Sequence, residues 1–290
     1  MSSILVTGAT GFIGSHFLQG NNDVKRILVR KENTSLVGVE QYILDDVINF
    51  NDPKIFDGCD TVVYLAGIAH DELRNVDDAR INEVNNISVI NFAKLASENG
   101  INRFIYLSST IVYGLASSSF VNEETKLLPN DSSALAKAQC EKALTTISDN
   151  TQMNVVILRS PLVYGMNVKG NLRTLIDLVS RLRFSPFGSV NNKRHFISVD
   201  NLVNVINRVV EPCENNISGV YLVSDAHPLS TKELVDKLFL PKKVYHTPIP
   251  LALFKLLCIN KEKLYKQLFS DYIIDTNKYN KIFGNDNDHD

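Results

Sequence analysis

A strand that runs into Thr7-Gly8-Ala9-Thr10-Gly11-Phe12-Ile13-Gly14 and continues as a helix leaves a chain few folds to choose from. The apolar run Ile4-Leu5-Val6 reads as a buried strand, and Phe12, Ile13, His16, Phe17 and Leu18 have the spacing of the first helical turns. Strand, glycine turn and helix N-terminus together form a seat for a dinucleotide pyrophosphate. Gly8 can turn the chain tightly. Gly11 has no side chain to keep phosphate oxygens from backbone N–H groups, and Gly14 lets the helix approach the sheet. The spacing is G-x-x-G-x-x-G rather than G-x-G-x-x-G, so the flanking strand and helix carry as much of the reading as the glycines.

Apolar stretches elsewhere repeat this unit. Lys25–Arg30, Val39–Leu44, Thr61–Ala66, Arg103–Ser108 and Val155–Ser160 are short runs suited to strands buried on both faces. Val76–Glu98 and Ala134–Ile147 have the period of amphipathic helices. The alternation predicts an α/β fold: a Rossmann-type, doubly wound parallel sheet. Gly20-Asn21-Asn22-Asp23 is turn material, so the first helix is expected to be short. From Pro161 onward seven prolines punctuate a pattern that becomes less regular past Tyr164, which reads as a smaller, discontinuous substrate lobe. The expected division is residues 1–163 for the dinucleotide domain, with returning segments near 193–225, and 164–192 with 226–290 for the lobe. His195–Val199 and Val220–Val223 are expected to rejoin the sheet.

A formal net charge of −2 over 290 residues offers no basic surplus for nucleic acid. No apolar run reaches the roughly 20 residues that span a bilayer. Ile249–Ile259, interrupted by Pro250 and Lys255, reads as a packed amphipathic helix rather than a membrane contact. The four cysteines are scattered, with no C-x-x-C pair, so neither a metal site nor a disulfide framework is expected. With no signal-peptide pattern at the N-terminus, a reducing cytoplasm fits best.

Strand Arg103–Ser108 runs into Ser108-Ser109-Thr110-Ile111-Val112-Tyr113-Gly114, which places hydroxyls where ligands sit in doubly wound folds. A helix length later comes Ser133-Ala134-Leu135-Ala136-Lys137. Taken in order with the glycine loop, Leu65-Ala66-Gly67, Val84-Asn85, Arg159–Gly165, Lys169–Leu172 and Arg194–Leu202, these segments resemble the extended short-chain dehydrogenase/reductases. Within that superfamily the resemblance is to the nucleotide-sugar epimerase/dehydratase branch, and in particular to bacterial enzymes of UDP-N-acetylhexosamines or their 4-keto derivatives. It implies cofactor contacts at Gly8, Gly11, Phe12, Ile13, Gly14, Arg30, Asp46, Val47, Leu65, Ala66, Gly67, Asn85 and Lys137. Asp46 would accept from the adenine amino group, and Asn85 would brace the site. The sugar nucleotide would meet Ser109, Thr110, Asn171, Leu172 and Arg194, with Arg194 clamping its diphosphate. Ser109, Ser133 and Lys137 occupy the catalytic positions. A homodimer through Val76–Glu98 and Ala134–Ile147 is implied as well.

Three departures sharpen the expectation. The family carries Tyr four residues before the Lys, where this chain has Ser133. A serine oxygen reaches roughly 4 Å less far than a phenol, and its pKa lies far above the ~10 of Tyr. Either another group or a water relays the proton, or the chain binds cofactor and sugar nucleotide without turnover, or the serine is a substitution made to trap a complex. Tyr113, Thr110, His70 and Cys140 are the other groups that could relay. Dehydratases carry Asp-Glu after the active-site hydroxyl, whereas this chain has Thr110-Ile111, so dehydration is disfavoured. The second strand ends in Val29-Arg30-Lys31-Glu32 rather than in Asp, and Arg30 there favours NADP over NAD. The expected activity is an NAD(P)-dependent epimerase or 4-keto reductase at C4 of a UDP-sugar, serving surface polysaccharide synthesis.

Overall fold

The computed structural model describes residues 3–44, 50–68, 76–114, 120–168, 170–182, 184–213, 215–257 and 262–284, without the side chains of 171, 182, 256–257 and 262–264. In chain order the first half contains β1 (Ile4–Thr7), α1 (Phe12–Gly20), β2 (Val24–Val29), β3 (Glu40–Ile43), β4 (Thr61–Tyr64) and α2 (Asp78–Asn82). A π-helical turn, Glu83–Ile87, leads into α3 (Ser88–Glu98), followed by β5 (Arg103–Ser109), β6 (Phe120–Val121) and α4 (Ser132–Asn150). The second half holds β7 (Asn154–Ser160), β8 (Val163–Tyr164), α5 (Gly170–Leu182), β9 (Phe184–Ser185), β10 (Ile197–Ser198), α6 (Val199–Val210) and β11 (Gly219–Leu222). After these come α7 (Thr231–Phe239), β12 (Tyr245–His246), α8 (Leu251–Leu257), α9 (Glu262–Phe269), β13 (Ile273–Ile274) and α10 (Asn277–Phe283).

Seven strands form one parallel sheet in the order β3-β2-β1-β4-β5-β7-β11. The order reverses at β1, so the crevice for a ligand opens beyond the carboxyl ends of β1 and β4. The continuous apolar runs serve two cores, because successive side chains leave opposite faces of a strand. Ile4, Val6, Val63 and Ile105 pack with Phe17 of α1 and with Leu202, Val205, Ile206 and Val209 of α6. Leu5, Val62, Tyr64 and Phe104 pack on the other face with Val89, Phe92 and Ala96 of α3 and with Cys140 and Leu144 of α4. Each buried Val, Leu, Ile or Phe among these stabilises the fold by about 1.5–3 kcal/mol.

The expected strands are present with ends shifted by one or two residues, and α1 is short, as Gly20-Asn21 requires. Val220–Val223 returns to the sheet as β11, whose Val220 sits opposite Ile157. The segment His195–Val199 does not return to it. Its strand β10 pairs with β8 in a separate two-stranded ladder, Ile197 opposite Val163, and Ser198 then caps α6 by accepting from the Asn201 N–H. The cap forces the chain into a helix just where the sheet reading would extend it. Beyond residue 164 the helices have their own core of Val179, Phe187, Val190, Val235, Val244 and Phe254. Of the stretch expected to be a packed helix, α8 buries Phe254 but leaves Leu251 and Leu253 exposed.

Candidate functional site

The glycine loop is closed by its own backbone and by the strand beside it. Gly8 has φ +71°, and a Cβ there would lie 2.7 Å from the Ala66 nitrogen. A Cβ at Gly14 would lie 2.3 Å from the Gly8 carbonyl oxygen, so only glycine lets α1 start this close to the turn. The Gly11 N–H donates to the Gly8 carbonyl at 2.9 Å. Gly11 then serves as the N-cap of α1, with no side chain capping the helix and no acidic residue in its first turn. The first-turn N–H groups therefore lack a side-chain acceptor, and the helix dipole favours an anion there. These features fit a dinucleotide pyrophosphate. Ile13 packs against the sheet core, whereas Phe12 packs against the cluster that contains Leu172.

The neighbouring strand β4 supplies the opposite wall. Ala66 donates its N–H to the Thr7 hydroxyl at 3.2 Å, and the Leu65 N–H donates to the Thr7 carbonyl at 3.2 Å. Asn85 is buried in the π-helical turn, where its Oδ1 accepts from the Ile68 N–H at 2.8 Å and its amide donates to the Ile68 carbonyl at 3.1 Å. Its Oδ1 also sits 2.9 Å from where a Cβ on Gly67 would be, so Gly67 admits the brace. The bulged turn projects Asn85 at the loop instead of continuing the α-helical face. Arg30 is exposed one residue past β2. Asp46, Val47 and His70 lie outside the described residues.

Ser109 closes β5 and caps a 3-10 turn, Thr110–Tyr113, by accepting from the Ile111 N–H at 3.4 Å. Ser133 and Lys137 lie one turn apart on α4 and so share a face of that helix. Ser133 is buried, and no described residue hydrogen-bonds its hydroxyl. Lys137 Nζ donates to the Leu107 carbonyl at 3.2 Å and stands 5.2 Å from the centre of the Tyr106 ring. Burial holds its pKa below the ordinary lysine value.

Beneath these residues lies an ion pair that sequence reasoning missed. Glu141, four residues after Lys137, accepts from Arg159 Nε at 3.1 Å and Nη2 at 2.6 Å, and also from the Ser108 hydroxyl. Arg159 Nη1 donates at 2.6 Å to the Tyr113 hydroxyl, which in turn donates to the Asn122 carbonyl at 2.8 Å. Burial opposes the Arg159 charge, but Glu141 and Tyr113 more than offset it and hold its pKa above the usual value. Burial pushes the Tyr113 hydroxyl up to about 12, against the pull of Arg159. It pushes the Cys140 thiol up to about 12 as well. Both groups stay protonated near neutral pH, and the Tyr113 hydroxyl is already engaged with Arg159 and the Asn122 carbonyl. One signal was available in the sequence: a lone Arg in the apolar run Val155–Ser160 needs a partner carboxylate if buried.

Arg194 reaches this turn indirectly. Its guanidinium lies 4.9 Å from the Tyr272 ring centre, and the Tyr272 hydroxyl donates to the Thr110 carbonyl at 3.3 Å. Arg194 Nη1 also donates to the Lys266 and Ser270 carbonyls at 3.4 Å each, close to the C-terminus of α9. Burial lowers its pKa. Leu172 is buried with Tyr164, Val168, Phe196 and Leu234. The glycine loop, the Ser109 turn and the lobe thus converge through Phe12–Leu172 on one side and Arg194–Tyr272–Thr110 on the other. The Asn171 side chain lies outside the described residues.

Known proteins resemble this chain in sequence and in fold. A family model described as the NAD dependent epimerase/dehydratase family matches residues 4–224. A Vibrio cholerae protein named UDP-glucose 4-epimerase is 34% identical over 266 residues, spanning 88% of this chain and 80% of its own. An Escherichia coli O157:H7 protein named N-acetyl-alpha-D-glucosaminyl-diphospho-ditrans,octacis-undecaprenol 4-epimerase is 26% identical over 275 residues, or 89% of this chain and 79% of its own. Among solved structures, UDP-glucuronic acid 4-epimerase from Bacillus cereus in complex with NAD matches with a TM-score of 0.74 at 20% identity. The match covers 97% of this chain and 89% of that one, and is a likeness of fold.

Proposed function

The chain belongs to the NAD dependent epimerase/dehydratase family, and on that premise we propose that it inverts C4 of a UDP-sugar, or reduces the 4-keto form. The carrying observation is the uncapped start of α1 against Gly8 and Ala66, with Ser109 at the end of the neighbouring strand. The cofactor, when bound, supplies the acceptor and donor of hydride. Gly8, Gly11 and Gly14 hold the pyrophosphate, Asn85 keeps the Leu65–Gly67 wall in place, and Ser109 bonds the sugar oxygen at the reacting carbon. Arg194, Thr110 and Asn171 meet the sugar nucleotide, and Leu172 packs behind it. Arg30, exposed past β2, would accept the 2′-phosphate of NADP. Two copies would pair across α3, with the π-helical turn before it, and α4, where Ile87 and Leu135 are exposed.

Ser133 cannot reach as a phenol does, so the proton passes through a water held by Ser133 and Lys137. Losing a positioned acid–base group costs about 10²–10⁴ in rate, which makes slow turnover the expectation. The second reading, binding without turnover, is favoured by the same Ser133. One experiment separates them. The dinucleotide that co-purifies is identified, and wild type and Ser133→Tyr are assayed with UDP-N-acetylhexosamines and their 4-keto forms by NMR. Slow turnover that rises by about 10²–10⁴ in Ser133→Tyr supports the enzyme. Bound cofactor with no product from either protein supports the binding module. A protein that takes up neither ligand overturns both readings.

A further inference from the structure

On the far edge of the lobe, apolar side chains stand in water on a segment that its neighbours hold fixed. Leu240 is 72% exposed and Tyr245 69%. Tyr245 pairs in register with Phe184, which is 42% exposed, so the two rings share one face of the β9–β12 ladder. Past that ladder and its prolines, Leu251 and Leu253 precede the buried Phe254 of α8 and are 41% and 45% exposed. The segment is anchored from within. Val244 and Phe254 are buried, and the Phe254 ring packs on Phe187 and Phe269 at 6.2 and 4.7 Å between centres. Pro248 bridges to Phe187.

Charge on this segment has one sign. Between Leu240 and Lys255 there are three lysines, Lys242, Lys243 and Lys255, and no carboxylate, in a chain whose net charge is −2. All three lysines are exposed. Asp236 of α7 is held by His246 Nε2 at 2.8 Å. Protein–protein interfaces are depleted in Lys at their cores. Tyr, Leu and Phe interleaved with Lys suit the boundary of an anionic bilayer, where rings and aliphatic groups enter the headgroup layer and ammonium groups stay among the phosphates.

We propose that this exposed segment, Leu240–Lys255 together with Phe184, docks the protein on an anionic lipid bilayer surface. No described helix is long and apolar enough to cross a membrane, so the attachment is peripheral and reversible. It does not depend on the reaction carried out in the crevice.

The test is co-sedimentation of the full chain with vesicles of phosphatidylcholine alone and of phosphatidylcholine mixed equally with phosphatidylglycerol. The protein should pellet with the anionic vesicles and be released by salt. Each lysine removed, in Lys242→Ala, Lys243→Ala or Lys255→Ala, should weaken partitioning about fivefold. Leu251→Ser with Leu253→Ser should weaken it at low and high salt alike. Because these side chains are exposed, each variant should keep the wild-type unfolding temperature. Three results would overturn the proposal: no pelleting with anionic vesicles, equal pelleting with neutral ones, or variants that partition like wild type. A dimer in solution that is broken by Leu251→Ser and Leu253→Ser would assign the face to a second copy and overturn it too.

Discussion

Replacing Glu141 by Leu should be among the most damaging single changes in the chain. The Glu141 and Arg159 side chains are 3% and 5% exposed. The carboxylate accepts from Arg159 Nε and Nη2 and from the Ser108 hydroxyl, so its loss leaves a buried guanidinium with the Tyr113 hydroxyl as its remaining partner. Breaking a buried pair from one side costs about 3–5 kcal/mol, because an uncompensated charge stays in the interior. With a urea m-value of about 3 kcal/mol/M, that loss lowers the unfolding midpoint by about 1–1.7 M. Arg159→Met should cost about the same. The double variant replaces two desolvated charges with apolar side chains of similar bulk, and should stand within about 2 kcal/mol of wild type. Equilibrium unfolding in urea of the four proteins closes the cycle and gives the coupling directly. Single losses below about 1 kcal/mol, or a double variant whose loss is the sum of the singles, would refute the reasoning.

Two further outcomes follow from single residues. Arg30→Ala should weaken NADP about tenfold while sparing NAD, since only NADP loses a charge-assisted phosphate contact; calorimetric titration giving equal losses would sink the contact. His195 is buried, its Nδ1 accepting from the Ile274 N–H at 2.9 Å, and burial holds its pKa below the ordinary 6.5. Below pH 6.5 the unfolded chain binds a proton that the native chain does not, so this residue's contribution to stability falls as pH falls towards the folded pKa. His195→Gln should flatten the fall in unfolding free energy across that window, and an unchanged slope would show that His195 is not its source.

Local signals made much of the sheet legible. β1, β2, β4, β5 and β7 are short apolar runs bounded by turns, and Gly8 and Gly14 mark a backbone approach that any Cβ would block. His195–Val199 misled because a two-residue strand and a sheet strand look alike until pairing is known, and Ser198 caps a helix there. The helix expected within Ile249–Ile259 is present as α8 and packs through Phe254, but an apolar run gives no sign that Leu251 and Leu253 stay exposed. Glu141 and Arg159 lie 18 residues apart on a helix and a strand, and no local rule pairs them. The same holds for Tyr272, which the lobe carries to the Thr110 carbonyl from 162 residues away.

By itself the sequence determined the glycine turn between β1 and α1 and the order of strand and helix, because steric limits on backbone conformation and the period of apolar side chains act over a few residues. It also set a serine four residues before Lys137, since that depends on one position. Tertiary structure alone decided which charges are buried together beneath Ser109, how Arg194 is tied to that turn, and which apolar face of the lobe is left in water. Those outcomes depend on which distant surfaces meet, and desolvation energy is defined only once they have met.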